Sequence, residues 1–302
     1  MVACPSARRS AAATRRRLAA ALVGFGSLIL LAGCSSKDAF AFGWPKGVTP
    51  QAEQMYDLWI GSVVAALAVG VFVWALIFWC VVRYRKKGEE LPPQTRYNMP
   101  IEVLYTVIPF LIIAVLFYYT AIIQTYVEKR SERPDVTVEV VAFKWNWQFR
   151  YTGTEDQSGE VITETGHSDY VPVLVIPTDR TIRFVEESKD VIHSFWVPEL
   201  LFKRDVMPGY TNEFEVTVKQ KGEYVGRCAE LCGAFHSMMN FEVRAVSPAD
   251  YDTFLNLRSA GRSTPEALEG IGYSGDARYA ITTRPYDTKR DATARDAEVS
   301  RE

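Results

Sequence analysis

Twelve residues, Cys228 to Met239 (C-A-E-L-C-G-A-F-H-S-M-M), hold two cysteines, a histidine, two methionines and a glutamate. Cys228 and Cys232 are four apart, His236 is four further on, and Met239 closes the run. Thiolate, imidazole and thioether are the ligands preferred by soft and borderline transition metals, copper above all. The chain has only three histidines. One is His236, and a second, His193, sits upstream in D-V-I-H-S-F-W. One thiolate, two imidazoles and a weak thioether would make a mononuclear blue-copper site. Here two thiolates share one short loop, too close together to serve separate sites. Both can bridge two metals in a compact Cu₂S₂ core. Each copper then takes one imidazole, from His193 or His236. The weak axial positions fall to Met239 and to a backbone carbonyl, that of Glu230. A rigid cage that spreads one electron over two metals changes little in shape on reduction, which suits electron transfer. A structural zinc site pairs cysteines at shorter spacing and does not use methionine. A redox disulfide would sit in C-x-x-C within a βαβ unit, and neither is present.

The elements that must position this loop begin with an address. Residues 1–33 are basic first (Arg8, Arg9, Arg15, Arg16, Arg17) and then apolar from Leu18 to Leu31, the layout of an export signal. They end in L-A-G-C at 31–34, which resembles a bacterial lipobox and makes Cys34 the expected lipid-bearing residue. A plain signal peptide with an incidental cysteine is the alternative. An extracytoplasmic segment is expected over 34–56. Two uncharged runs follow, Leu58–Val82 and Val103–Tyr126, each at or above the roughly 20 residues needed to span a bilayer. Transmembrane helices are therefore expected over 57–83 and 100–127. The loop between them, 84–99, follows Arg83 and opens with Arg85, Lys86 and Lys87, which places it in the cytoplasm. Pro109 should kink the second span. Glu102, in N-M-P-I-E, reads from composition as a helix-start carboxylate after Pro100. An ionisable group at that depth can also mark a proton path.

From about residue 128 the pattern becomes β. Short runs rich in Val, Phe and Tyr lie at 136–143, 171–176, 180–186, 212–218, 223–227 and 239–246. Turn formers such as Pro208-Gly209 and Lys221-Gly222 separate them. An all-β sandwich or Greek-key barrel over 128–246 fits this spacing. The polar stretch 152–169 reads as a long surface loop, with His167 exposed on it and not a ligand. Residues 247–302 form a tail with one capped helix after Ser247-Pro248; from about Ser274 it is polar and expected to be disordered alone. A net charge of −2 gives no electrostatic case for a nucleic-acid partner. Five cysteines, an odd number, do not form a disulfide framework. Cys4 lies in the segment to be removed, and Cys80 lies in an apolar run.

Over residues 50–258 the chain resembles subunit II of the haem–copper cytochrome c oxidases. The resemblance rests on the hairpin, the β domain and C-x-E-x-C-x-x-x-H-x-x-M at 228–239. It implies a two-helix transmembrane hairpin followed by an all-β cupredoxin domain, a Greek-key β-barrel. It also implies a dinuclear copper A centre held by His193, Cys228, Glu230, Cys232, His236 and Met239; only Met239, not Met238, falls at the family spacing. The Glu230 side chain is implied to reach a magnesium or manganese ion shared with subunit I. K-W-N-W-Q resembles the family's aromatic cluster, with Trp145 as the electron entry point and Asn146 where tyrosine is common. Asp190 matches the acidic face that docks the donor. N-M-P-I-E matches the mouth of the proton-conducting K pathway, which moves the reading of Glu102 towards function. The resemblance thus implies a bacterial plasma-membrane protein, anchored also to membrane lipid. It would take electrons from cytochrome c or a membrane-bound c-type cytochrome and pass them to haem in subunit I. Oxygen reduction and proton pumping would occur there, with other oxidase subunits around it. Quinol oxidase relatives lack these copper ligands, and nitrous oxide reductase lacks the hairpin. The lipobox and long tail are similar to actinobacterial oxidases. A rival of another class is a membrane-tethered copper-binding or assembly protein without a turnover role.

Overall fold

The computed structural model describes residues 43–283, apart from 90 and 92. The first helix, α1, runs from Pro50 to Arg83. The Thr49 hydroxyl accepts the Ala52 N–H at 3.0 Å, Pro50 opens the first turn, and Arg83 lies in the last. The helix therefore starts seven residues before the expected 57, because a cap and a proline can begin it ahead of its apolar run. Ahead of the cap, Val48 donates to the Glu199 carbonyl at 3.0 Å and accepts from Lys219 N–H at 2.8 Å, which ties the helix entry to the outer domain. The second helix, α2, runs from Met99 to Val127 and continues through Pro109. Asn98 caps the Ile101 N–H while the Glu102 carboxylate accepts the Asn98 N–H at 2.8 Å. At about 1.5 Å per residue both helices are long enough to cross a bilayer. Their large apolar side chains face outward along most of their length. That is the arrangement expected where the surrounding medium is lipid or another helix.

Beyond α2 the described residues form ten strands in two five-stranded sheets. The first sheet has the order β3 (Val161–Thr165), β2 (Asn146–Glu155), β1 (Val136–Phe143), β5 (Ile182–Ser188), β8 (Asn212–Val216). The second has β4 (Val173–Pro177), β10 (Asn240–Val246), β9 (Gly222–Cys228), β6 (His193–Val197), β7 (Phe202–Val206). The β1–β5 and β4–β10 pairs are parallel and the rest antiparallel, and the two sheets form the expected all-β sandwich. Alternation along the strands sends Val138, Val140 and Ala142 of β1, and Ile182 and Phe184 of β5, to the inside. There they meet Trp147, Phe149, Phe195, Phe214 and Phe241. Phe195 and Phe241 stack at 4.7 Å and Phe184 and Phe214 approach to 5.1 Å, pairs that each add about 0.5–1.5 kcal/mol beyond area burial.

Two expectations are corrected. Residues 152–169 are not one long loop: β2 extends to Glu155, and β3 returns from Val161 to Thr165. The Asp156 carboxylate accepts N–H groups of Ser158 and Glu160 and so builds the turn between them. The hairpin is polar because β3 is the sheet's edge, where charge discourages unwanted pairing. Nor are residues 274–283 free of the domain; the rest of the tail lies outside the described residues. After helices α3 (Pro248–Ser259) and α4 (Thr264–Gly270), residues 277–282 lie along β10. Arg244 donates to the Ala277 carbonyl and to Glu242, and to the Tyr279 carbonyl at 3.0 Å. The other Glu242 oxygen accepts from the N–H groups of Ile281 and Thr282 at 2.7 and 2.8 Å.

Candidate metal centre

The site is built at one end of the second sheet. β6 and β9 are neighbours, with Phe195 opposite Cys228, and this sets His193 beside the last residue of β9. The loop from Cys228 to Met239 joins β9 to β10 and is closed by its own backbone. Cys228 N–H donates to the Met239 carbonyl at 3.0 Å, and Ala229 N–H to Ser194 at 3.0 Å. A 3-10 turn over His236–Met238 brings His236 back under the loop. Gly233 has φ of 125°, and a Cβ there would stand 3.1 Å from the Trp145 ring, so both conformation and space call for glycine.

The donor atoms fall into two matching halves. The sulfurs of Cys228 and Cys232 are 3.8 Å apart. Cys228 Sγ has His193 Nδ1 at 3.8 Å and the Glu230 carbonyl at 3.3 Å. Cys232 Sγ has His236 Nδ1 at 3.6 Å and Met239 Sδ at 3.9 Å. Each thiol thus has one imidazole and one weak donor, and the six expected ligand residues converge. His193, Cys228 and Cys232 are buried, with ligand atoms all within 4.8 Å of one another. The set fits a soft metal such as copper, because it supplies two sulfurs and two imidazoles and no ionised oxygen.

Burial pushes the Cys228 thiol up, but hydrogen bonds from His193 and the backbone outweigh it and bring it to about 7. Burial and the neighbouring Cys228 charge push Cys232 up to about 12. Two thiolates this close retain a proton between them until cations replace it, so metal uptake releases protons. Burial would lower His193, yet its contacts with Cys228 and Asp190 raise it overall.

Asp190 has an inward task that the spacing did not reveal. Its Oδ1 lies 2.8 Å from His193 Nε2 and 2.6 Å from Val191 N, and its Oδ2 accepts the Lys144 N–H at 2.6 Å. Burial pushes this carboxyl up, but these donors outweigh it and hold it below the usual range. A carboxylate on Nε2 leaves Nδ1 as the metal-facing atom and fixes the ring. Trp145 covers the loop, half-buried. Its indole N–H donates to the Cys232 carbonyl at 3.2 Å, and its ring meets Phe235 edge-on at 5.0 Å. Asn146 is buried, with its side-chain oxygen on Trp147 N–H at 3.0 Å, so it does not face outward as a docking group would. Trp147, two residues after Trp145 and within β2, was not singled out by its residue type. Its indole N–H reaches the Met239 carbonyl at 3.2 Å. His167 is exposed in the turn after β3, stacked on Tyr170 at 5.4 Å, and is not among the converging donors. Glu102 lies at the start of α2, and Cys34 lies outside the described residues.

Residues 136–246 match the family model "Cytochrome C oxidase subunit II, periplasmic domain", and residues 38–123 match that subunit's transmembrane domain. The probable cytochrome c oxidase subunit 2 of Nocardia farcinica is 45% identical over 87% of this chain and 85% of its own length. The chain belongs to the cytochrome c oxidase subunit II family. The cytochrome c oxidase subunit 2 of Mycobacterium bovis is 42% identical over 91% of this chain and 90% of its own. Among solved structures, the periplasmic domain of subunit II of cytochrome oxidase (CoxB) of Bradyrhizobium japonicum is 25% identical, with a TM-score of 0.38, covering 43% of this chain and 96% of that one. As a member of the subunit II family, the chain is a membrane protein with an extracytoplasmic domain, part of a copper-dependent electron-transport oxidoreductase.

Proposed function

We propose that this chain accepts single electrons from a c-type cytochrome at a dinuclear copper A centre and passes them to haem in subunit I. Oxygen would be reduced to water in that partner, coupled to proton pumping. The observation that carries the reading is the duplicate arrangement of donors, one imidazole and one weak donor on each of two sulfurs 3.8 Å apart. A copper pair held there would share one electron between its metals. The protein's part is to keep the donors fixed: Asp190 holds His193, the backbone closes the loop, and burial excludes water. The Glu230 carbonyl is turned to Cys228 while its side chain stays half-buried. That leaves a carboxylate for a magnesium or manganese ion at the subunit I face. Metal analysis with electron paramagnetic resonance on the purified full chain tests the centre. Two coppers per chain and a seven-line mixed-valence pattern are expected; a four-line mononuclear spectrum would sink the proposal and favour a tethered copper-binding or assembly protein.

Trp145 is the proposed entry point, since its indole joins the outer surface to the Cys232 carbonyl through one hydrogen bond. Trp145→Phe should retain both coppers while slowing reduction by the native donor at least about tenfold, a cost of some 1.4 kcal/mol in barrier. Stopped-flow reduction at wild-type speed would count against it. Glu102 is proposed at a proton entrance despite its capping bond. Glu102→Gln keeps an acceptor for Asn98 N–H, so normal turnover across pH would reduce Glu102 to a helix cap. Cys34 is proposed as an acyl anchor, to be read from the mass of the mature N-terminus.

A further inference from the structure

Met239 gives the metal loop two things, a thioether and a carbonyl, and the carbonyl is the more heavily used. It accepts the Cys228 N–H at 3.0 Å and the Trp147 indole N–H at 3.2 Å. One oxygen therefore joins the first and last residues of the loop to each other, and joins both to β2 in the opposite sheet. A carbonyl has two lone pairs, so this one is filled. Trp147 is fully buried, with no room to leave. Its ring also meets the His193 ring at 6.3 Å and 60°, and rests on Phe195 at 6.0 Å and Phe241 at 5.2 Å. A single indole thus touches the backbone of one ligand residue and the ring of another, from the far side of the sandwich.

We infer that Trp147 is a positioning residue for the metal centre, setting where the Met239 thioether stands relative to Cys232. The weak axial ligand is a principal control on the redox potential of copper–thiolate sites. A shift in the Met239 main chain would be passed directly to its Sδ, because the residue is buried and its side chain has no space in which to compensate. This inference rests on the copper reading of the site.

The test is Trp147→Phe in the full chain, with copper content, hyperfine pattern and the oxidised-to-reduced ratio at fixed applied potential as readouts. Phenylalanine keeps an aromatic ring against Phe195 and Phe241 but has no N–H. Two coppers should be retained, with an altered hyperfine pattern and a ratio moved about threefold or more through the axial ligand. In a Met239→Leu background the same substitution should move the ratio no further, because the two act through one thioether. Two coppers with unchanged pattern and ratio would overturn the inference, as would a full second shift in the Met239→Leu background. If Trp147→Phe does not fold, hydrogen exchange of the wild-type Trp147 indole proton decides. Exchange at least tenfold slower in the copper-loaded than in the metal-free chain is expected, and equal rates would overturn it. A wild-type chain that binds no copper pair would instead sink the reading of the site, and the metal-free exchange rate would still report whether the indole is bonded.

Discussion

Cys232→Ser is expected to turn the proposed two-copper centre into a one-metal centre. Among the donor atoms, the two halves of the site meet at the sulfurs, 3.8 Å apart. With Cys232 gone, Cys228 keeps His193 at 3.8 Å and the Glu230 carbonyl at 3.3 Å, enough for one soft metal. His236 and Met239 lose the sulfur that brought them in, at 3.6 and 3.9 Å. Copper content should fall from two to one and the seven-line pattern should become four lines. Electron transfer to the partner should fall by more than about a hundredfold, since losing a mere supporting residue around a metal already costs 10–100-fold. The domain itself should persist, because serine is smaller than cysteine and the aromatic core lies behind the loop. Metal analysis, the resonance spectrum and single-turnover reduction read the three outcomes together. A variant that still held two coppers with a seven-line spectrum would mean that Cys232 does not bridge.

The ligand loop was legible in the sequence because its chemistry is local. Cys228, Cys232, His236 and Met239 sit in one run, and His193 could be added by its rarity. The strands whose buried and exposed sides alternate, such as β1, were legible for the same reason. β7 (F-K-R-D-V) was not, because three consecutive charged residues on this edge strand hide the alternation. The β2–β3 hairpin was missed because Glu164 in β3 is a buried acid whose partners, Tyr170 and Thr264, lie 6 and 100 residues away. Burial pushes its carboxyl up, and contacts with Thr264 and Tyr170 only partly offset that. The inward contacts of Asp190 and Trp147 were passed over for one shared reason. What they do depends on which backbone atom meets the side chain, and residue type does not carry that information. The same holds for the tail, whose attachment is a contact between two residues that look, in isolation, like solvent-exposed charges.

Those two residues, Glu242 and Arg244, are expected to show the largest stability effect in the outer domain. Both side chains are completely buried and paired with each other. Arg244 also donates to the carbonyls of Ala277 and Tyr279 and lies 4.6 Å over the Tyr273 ring. Glu242 holds three donors from Ile281 and Thr282. Arg244→Met roughly keeps the volume but strands the Glu242 charge beneath the strap, and breaking such a pair costs about 3–5 kcal/mol. At about 2–4 °C per kcal/mol for a domain of this size, Tm should drop by about 6–20 °C. Residues 275–283 should become sensitive to protease at temperatures where the wild type resists. Adding Glu242→Gln should recover part of the loss, because a neutral amide no longer needs the guanidinium and can still accept from the strap. The copper spectrum should stay unchanged below the new Tm, since Glu242 and Arg244 are not among the donors. Thermal melting and timed proteolysis of the full chain measure this, and a Tm within about 2 °C of wild type would show that the strap is held by something other than this pair.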